Sequence, residues 1–576
     1  MSYFLKQSTP SKKGRYLQIY ETTYRPGIGC RNRSYQKIGY VSDLIAQGIE
    51  DPVSYYRKKV EELNSSLRDG QPQISDVSNQ MNVGYFLLKA MIDELGVDSD
   101  MRLMTAGRKF QYEVPDFVRS MIYAQVVSPG SKLKAFEKVL PNLYGCKTFS
   151  YDQILDGVNY LGSDYQKFIE LFNHHIEKKW ARTTDKVYFD CTNYFFEIDL
   201  EDDLRRKGPS KENRKSPIIG QALLLDSDQI PLAMTMYPGN ESEKPQLRKH
   251  IEDIKDRYGV EGRVIQVADK GLNCALNIYA AVKEADDGYL FSKSTHGKNL
   301  SEADKEWLIL ENSHNVWHDV RDDGGALRYR YKETIDDFSY HFDDDEGAKQ
   351  TFTVKEKRVV TYSPKLAAKK KREILKEVEK AKATMTLKDA AREDYGDSVK
   401  YVVFDAKDGD GKKVKIKPKI NQAKIDEDLR LAGYNMLVTS ELDKTATEIY
   451  DIYHGLWRIE ESFRIMKTYL DARPVFVQKT ESIYGHFLIC YLALTILRLL
   501  ERKIFKDELS PSEIVGFIRD YNVTATGKDS YINNATASST YLKIKEALGL
   551  SKLGNLYLTK KNLDNLLENV DLNTSD

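Results

Sequence analysis

Residues 186–197 read KVYFDCTNYFFE, an apolar and aromatic run of strand formers with an aspartate, Asp190, set inside it. Two more strand candidates follow, PIIGQALLL (217–225) and IPLAMTMYPGN (230–240), joined by the turn-like Asp226-Ser227-Asp228. The pattern then alternates. A helix is expected over 243–257, a strand over RVIQVAD (263–269), a helix over 274–285 and a strand over GYLFSKS (288–294).

Three consecutive strands followed by helix and strand in alternation is the order of an RNase H-like α/β domain, whereas a doubly wound sheet alternates from its start. In that order the first and fourth strands lie side by side. Asp190 belongs to the first, and Asp269 ends the fourth after apolar Val264, Ile265, Val267 and Ala268. An aspartate among strand residues is costly to bury unless it is paired or binds a metal, so two that converge carry more meaning than either alone.

A third carboxylate comes from Tyr453–Lys467, YHGLWRIEESFRIMK. Read as one helix, positions seven apart share a face, which sets Tyr453, Glu460 and Lys467 on one stripe with Leu456, Trp457 and Arg464 on or beside it. A surface salt bridge between Glu460 and Lys467 explains such a stripe as well as an active site does, and the two strand aspartates favour the site. Glu461, the rival for the metal role, is rotated about 100° from Glu460. Three hard oxygen ligands suit Mg²⁺, and two such ions would serve phosphodiester displacement. Phosphoryl transfer on nucleic acid is the chemistry these residues predict.

The chain has 576 residues, 41% hydrophobic and 30% charged, enough for several domains with a sizeable core. Its 87 basic and 87 acidic residues cancel, so nucleic-acid binding must come from local patches. Cys30, Cys146, Cys191, Cys274 and Cys490 form no CxxC pair, the pattern expected of a reducing cytoplasm. His174 and His175 beside Glu177 read as a helix surface and not as a metal site. The start, MSYFLKQSTPSKKGR, lacks the apolar core of a signal peptide, and Phe487–Leu497 is too short an apolar run to span a bilayer, so no membrane partner is expected.

Elsewhere, residues 16–40 read as a hairpin about Arg25-Pro26-Gly27-Ile28-Gly29, followed by a helix over 51–72. From 76 to 182 the pattern is helical, a bundle that either binds DNA or supports its neighbour. Residues 297–430 are charged and β-rich around a basic helix (367–383) and a hairpin (400–420) in which Lys413, Lys415 and Lys417 alternate with Val414 and Ile416. That run is a solvated face or a phosphate contact. The strand GYNMLVTSEL (433–442) leads back to the Tyr453 stretch, and an apolar helix (481–502) follows it.

These residues resemble the DDE transposases of bacterial insertion sequences, in particular the cut-and-paste group with a Tyr-Arg-Glu-Lys signature in its last catalytic helix. Tyr453, Glu460 and Lys467 match that signature in type and spacing; its Arg position is Leu456, with Arg464 the candidate to supply the charge and Arg458 pointing elsewhere. KVYFDCTNYFFE, GPSKENRKSPIIGQALLLD, MYPGNESEKPQL, VIQVADKGL and RPVFVQKTESIYGHFLICYLAL are similar to the segments around the family's catalytic residues, and VVSPGSKL and the N-terminal hairpin also resemble it. The likeness covers about residues 1–500.

The resemblance implies an RNase H-like core interrupted by a β-rich insertion, flanked by helical N- and C-terminal regions. The expected layout is an N-terminal hairpin and helix (1–75), a helical DNA-binding region (76–182), the first part of the core (183–296), the insertion (297–430), the second part of the core (431–505) and a helical C-terminal region (506–576). It implies metal-dependent cleavage at element ends and strand transfer by a 3′-OH. Asp190, Asp269 and Glu460 would be the catalytic residues and hold two Mg²⁺ ions, with Mn²⁺ as a substitute. Tyr453, Lys467 and Arg464 would bind phosphate; Trp307 and Trp317 either stack on a flipped base or, as is commoner for tryptophan, are buried in packing. The implied partners are double-stranded DNA, as terminal inverted repeats and target, and a second copy in a synaptic homodimer; the implied location is the bacterial cytoplasm, at the nucleoid. The rival readings are a catalytically inactive, transposase-derived DNA-binding protein and another RNase H-fold nuclease.

Overall fold

The computed structural model describes residues 2–10, 14–25, 29–68, 80–211, 215–258, 260, 262–295, 300–311, 316–343, 347–386, 392–405, 417–527 and 529–572. The chain forms two compact units. One comprises Met1–Ala90, Lys138–Cys146 and Glu513–Asp576, the other Met91–Glu137 and Lys147–Ser512.

The first unit holds two antiparallel sheets. Strands Ser2–Gln7, Tyr16–Arg25 and Gly29–Tyr40 form a meander, one strand more than the expected hairpin, whose turn residues lie outside the described set. The helix Pro52–Arg68 closes its core through Tyr3, Ile19 and Val60. The second sheet joins Gln80–Asn82 to Asn522–Gly527, Ser530–Asn533 and Tyr557–Thr559. The C-terminal stretch, expected to be helical, therefore contributes three strands as well as helices.

The second unit is built on a nine-stranded mixed sheet. Its strands in chain order are β1 (Lys186–Phe195), β2 (Ile218–Leu225), β3 (Pro231–Pro238), β4 (Ile265–Ala268), β5 (Gly288–Lys293), β6 (His318–Arg321), β7 (Leu327–Asp343), β8 (Lys349–Tyr362) and β9 (Tyr434–Thr439). Their order across the sheet is β6-β7-β8-β9-β5-β4-β1-β2-β3. β2 runs antiparallel to both β1 and β3, while β4 runs parallel to β1 and to β5. The first and fourth strands are neighbours, as the order of elements predicted.

The insertion does not stand apart as a separate body. Its long strands β7 and β8 continue the same sheet, because β9 pairs with β8 on one side and with β5 on the other. One face of this sheet buries Val187, Phe189, Leu224, Phe291, Val360 and Val438 under α1 (Lys244–Tyr258), which contributes Leu247, Ile251 and Ile254. Trp317 belongs to this core at 8% exposure, and the Lys332 ammonium lies over both Trp307 and Trp317, 4.8 and 4.9 Å from their ring centres. Of the two readings for these rings the structure shows packing: Trp317 is spent on it and Trp307 packs, partly buried, against the same core.

The basic helix α2 (Pro364–Met385) buries Ile374 and Val378 against Tyr401 and Ile425 and leaves Lys369, Lys370, Lys371 and Arg372 exposed. The hairpin beside it pairs Val402–Asp405 with Lys417–Ile420; Lys413 and Lys415 and the Lys417 side chain lie outside the described residues.

The Tyr453–Lys467 stretch is not one uniform helix. α3 (Ala446–His454) and α4 (Trp457–Arg464) meet at a tightened turn in which Leu456, Arg458 and Ile459 donate to carbonyls three residues back, and a wide π turn (Ile465–Tyr469) follows α4. The cause of the close approach is visible in Gly455. A Cβ there would collide with the Tyr188 phenol of β1, so only glycine lets the turn lie this close to the sheet. α5 (Thr480–Leu499) is buried along nearly its whole length. It crosses the helix Tyr151–Ser163 where Gly162 and Gly485 each face the other helix's backbone with no room for a Cβ. With its π-helical extension it is long and apolar enough to cross a membrane, and 94% of its apolar window is buried inside this protein. His175, expected on a surface, is buried and bridges the Leu95 carbonyl at 2.8 Å and Asp100 at 2.9 Å.

Candidate active site

The parallel pairing of β1 with β4 runs up to Phe189 opposite Ala268, so the next residue on each strand is an aspartate. Asp190 and Asp269 thus leave the sheet side by side from its central strands. Asp190 Oδ1 accepts the Cys191 N–H at 2.7 Å. Burial pushes its carboxyl up to about 7, against the pull of the Lys211 ammonium and with a further push from Glu243 and Asp269.

Lys211 and Glu243 line the site but were not singled out in the sequence: Lys211 sits in a connection without periodicity and Glu243 at the very start of the expected helix over 243–257. The Lys211 ammonium donates to the Cys191 carbonyl and pairs with Glu243 at 3.1 Å. Burial lowers the Lys211 pKa, but Asp190 and Glu243 together outweigh that and raise it, so the lysine stays charged. The pair opens onto a cleft of about 570 Å³ that Asn193, Tyr237 and Lys244 also line.

Asp269 is held from two sides. Ser292 of β5 donates to its Oδ1 at 2.9 Å, and the Tyr453 phenol from the end of α3 donates to the same oxygen at 3.0 Å. Burial raises the phenol's pKa, and Asp269 and Glu460 raise it further, so it remains a donor. Lys467, carried by the π turn, reaches Thr192 Oγ1 on β1 at 2.7 Å and lies 5.1 Å from the Tyr194 ring centre. Thr192 is two residues past Asp190, on the same face of its strand.

The adjacent glutamates part company. Glu461 is bound to Arg458 at 3.1 Å, Arg498 at 2.9 Å and Arg464 at 3.2 Å. Burial works to raise its pKa, and Arg498 and Arg458 override this and lower it. Glu460 is exposed and makes no hydrogen bond or ion pair among the described residues. Arg464, at 64% side-chain exposure, leans on Glu461, and Arg458 is turned into the same buried network, as expected. Leu456, at the position of the signature's arginine, is 6% exposed and part of the apolar packing.

The single-stripe picture is therefore corrected in its geometry. Tyr453 and Lys467 do point to the same strand ends, but through a tightened turn and a π turn on either side of α4. Among the described residues no three His, Cys, Asp or Glu side chains are grouped closely enough to hold a metal ion. The donors nonetheless suit a hard divalent cation: all three candidates are carboxylates, two are adjacent, and the third is uncommitted.

Comparison with known proteins adds the following. The family described as the transposase DDE domain matches residues 195–496, a span that contains Asp269, Tyr453, Glu460 and Lys467 and begins just past Asp190. No curated protein matches the chain. Among solved structures it is similar to a piggyBac transposase, from the cryo-EM structure of its synaptic complex with hairpin DNA, at 11% identity and a TM-score of 0.37, over 88% of this chain and 89% of that one.

Proposed function

The chain belongs to the transposase DDE-domain family, and on that premise we propose that it is a cut-and-paste transposase of a bacterial insertion sequence, of the Tyr-Arg-Glu-Lys group. In this reading the central strands form an RNase H-like core. Asp190, Asp269 and Glu460 hold the catalytic metals, Mg²⁺ with Mn²⁺ as a substitute. The observation that carries the reading is the pair of aspartates on adjacent parallel strands, Asp190 within β1 and Asp269 just past the end of β4, with a glutamate on α4 that makes no ion pair among the described residues.

Bound divalent metal supplies an activated attacking oxygen and a stabilised leaving oxygen in phosphodiester displacement. The protein's part is orientation. Asp190 and Asp269 are fixed by the sheet, so Glu460 is the ligand that has to swing in to complete the set. Lys467 and Arg464 offer cations to phosphates at the cleaved strand, Lys467 from beside Asp190 and Arg464 from the exposed end of α4. The Lys211 ammonium, paired with Glu243, is a positive charge next to Asp190. The substrate is double-stranded DNA, at terminal inverted repeats and at the target, handled by two copies in a synaptic complex.

The test is incubation of the protein with duplexes ending in the inverted repeats that flank its coding region. Nicking at the repeat ends in Mg²⁺ or Mn²⁺, none in EDTA, is the expected result. Binding without cleavage in either metal would instead make it an inactive DNA-binding derivative, and cleavage indifferent to the repeats would make it a general nuclease.

A further inference from the structure

Two donors converge on one oxygen of Asp269, and neither is there by accident of a mobile side chain. Ser292 comes from β5, where Ala268 pairs with Phe291, so the register brings Ser292 beside Asp269. Its backbone carbonyl is in turn held by Asn273 Nδ2 at 2.9 Å. Tyr453 comes from the last turn of α3, a helix anchored at its start by a reciprocal capping box between Thr445 and Glu448 and at its end by the Gly455 approach to Tyr188. Asp269 Oδ1 is thus occupied twice, while Oδ2 accepts no hydrogen bond among the described residues.

A tyrosine hydroxyl has one proton to donate. Donated to Asp269, it is not available to a phosphate oxygen. We infer that Tyr453 and Ser292 are positioning residues that lock Asp269 Oδ1 so that Oδ2 is presented to the divalent cation, and that Tyr453 serves the second aspartate and not the DNA backbone. This rests on the reading of Asp269 as a metal ligand.

The experiment separates the two claims. Mn²⁺ alone is titrated into the full-length protein without DNA, with free ion followed by electron paramagnetic resonance. Binding of a random-sequence duplex is measured in EDTA by fluorescence anisotropy, and melting temperature is recorded for each variant. Asp269→Asn is expected to abolish Mn²⁺ binding at the site. Tyr453→Phe and Ser292→Ala are each expected to weaken it about ten- to hundredfold, the usual effect of losing a hydrogen bond to a ligand. Duplex affinity stays unchanged in both.

If Asp269→Asn binds Mn²⁺ like the wild type, the ligand assignment falls and the inference falls with it. If Asp269→Asn loses the ion while Tyr453→Phe keeps wild-type Mn²⁺ affinity and loses duplex affinity, the ligand assignment stands, the inference is overturned and Tyr453 is a phosphate contact. Should Tyr453→Phe fail to fold, Ser292→Ala decides alone, and unchanged Mn²⁺ affinity there overturns the inference.

Discussion

The aspartates of β1 and β4 and the packing of α4 against α5 both concentrate charge in the same unit, and they treat it in opposite ways. Where the helices pack, every charge is answered. Arg498, fully buried, binds Glu461 at 2.9 Å, Glu501 at 2.5 Å and the Ser462 hydroxyl at 3.0 Å, and Arg458 adds a second bridge to Glu501 at 2.6 Å. On the central strands Asp190 is burdened by desolvation and Asp269 Oδ2 accepts no hydrogen bond among the described residues, while Glu460 on α4 is exposed and makes no ion pair among them. Charges that the protein compensates itself serve as scaffold. Charges that it leaves short of partners are the ones a metal ion and a phosphate backbone can complete.

Breaking the scaffold side is expected to cost the most stability. Arg498→Leu removes the buried cation that Glu461 and Glu501 share, leaving Arg458 as the one arginine bridging both, and is expected to lower unfolding free energy by about 3–5 kcal/mol, read from urea denaturation. Glu460→Gln, by contrast, is expected to stay within about 0.5 kcal/mol of wild type in the same titration, because no protein partner is lost. Equal losses in the two variants would erase the distinction between the regions.

A smaller effect is expected where the two regions join. Gly455→Ala forces a Cβ into the Tyr188 phenol and is expected to cost about 1–3 kcal/mol of stability, with Tyr453 drawn off Asp269 as the turn opens. Neutral behaviour in thermal melts would show that the close approach is not required. The smallest effect belongs to a single cation. Lys467→Ala is expected to leave stability nearly unchanged and to reduce the slope of log affinity for duplex DNA against log salt by about one. An unchanged slope would confine Lys467 to its contacts with Thr192 and Tyr194.

The same contrast explains what could be read from the chain alone. The strands that carry Asp190 and Asp269 were legible because apolar runs with an embedded carboxylate are rare and costly, and because the order of elements makes the first and fourth strands neighbours. The choice of Glu460 over Glu461 rests on its spacing to Tyr453 and Lys467, and the structure adds that Glu461 is bound by three arginines. What escaped depends on tertiary packing. The tightened turn at Gly455 arises from contact with Tyr188 on a distant strand, and nothing in the local helical pattern announces it. Lys211, Glu243 and Ser292 reach the site from loops and from a neighbouring strand, where no period marks them. The continuation of the insertion into the central sheet follows from the pairing of β9 with both β8 and β5, and a sequence specifies strands far more readily than their partners. Trp317, for which packing was the commoner of two readings, is core.

The claim at the centre of this account is that α4 offers Glu460 to the metals and spends Glu461 on the fold. Mg²⁺-dependent cleavage of end duplexes by Glu460→Gln and Glu461→Gln, compared at equal folded protein, tests it most directly. The expected result is no detectable cleavage by Glu460→Gln and cleavage by whatever Glu461→Gln remains folded; activity in Glu460→Gln with none in folded Glu461→Gln would contradict it.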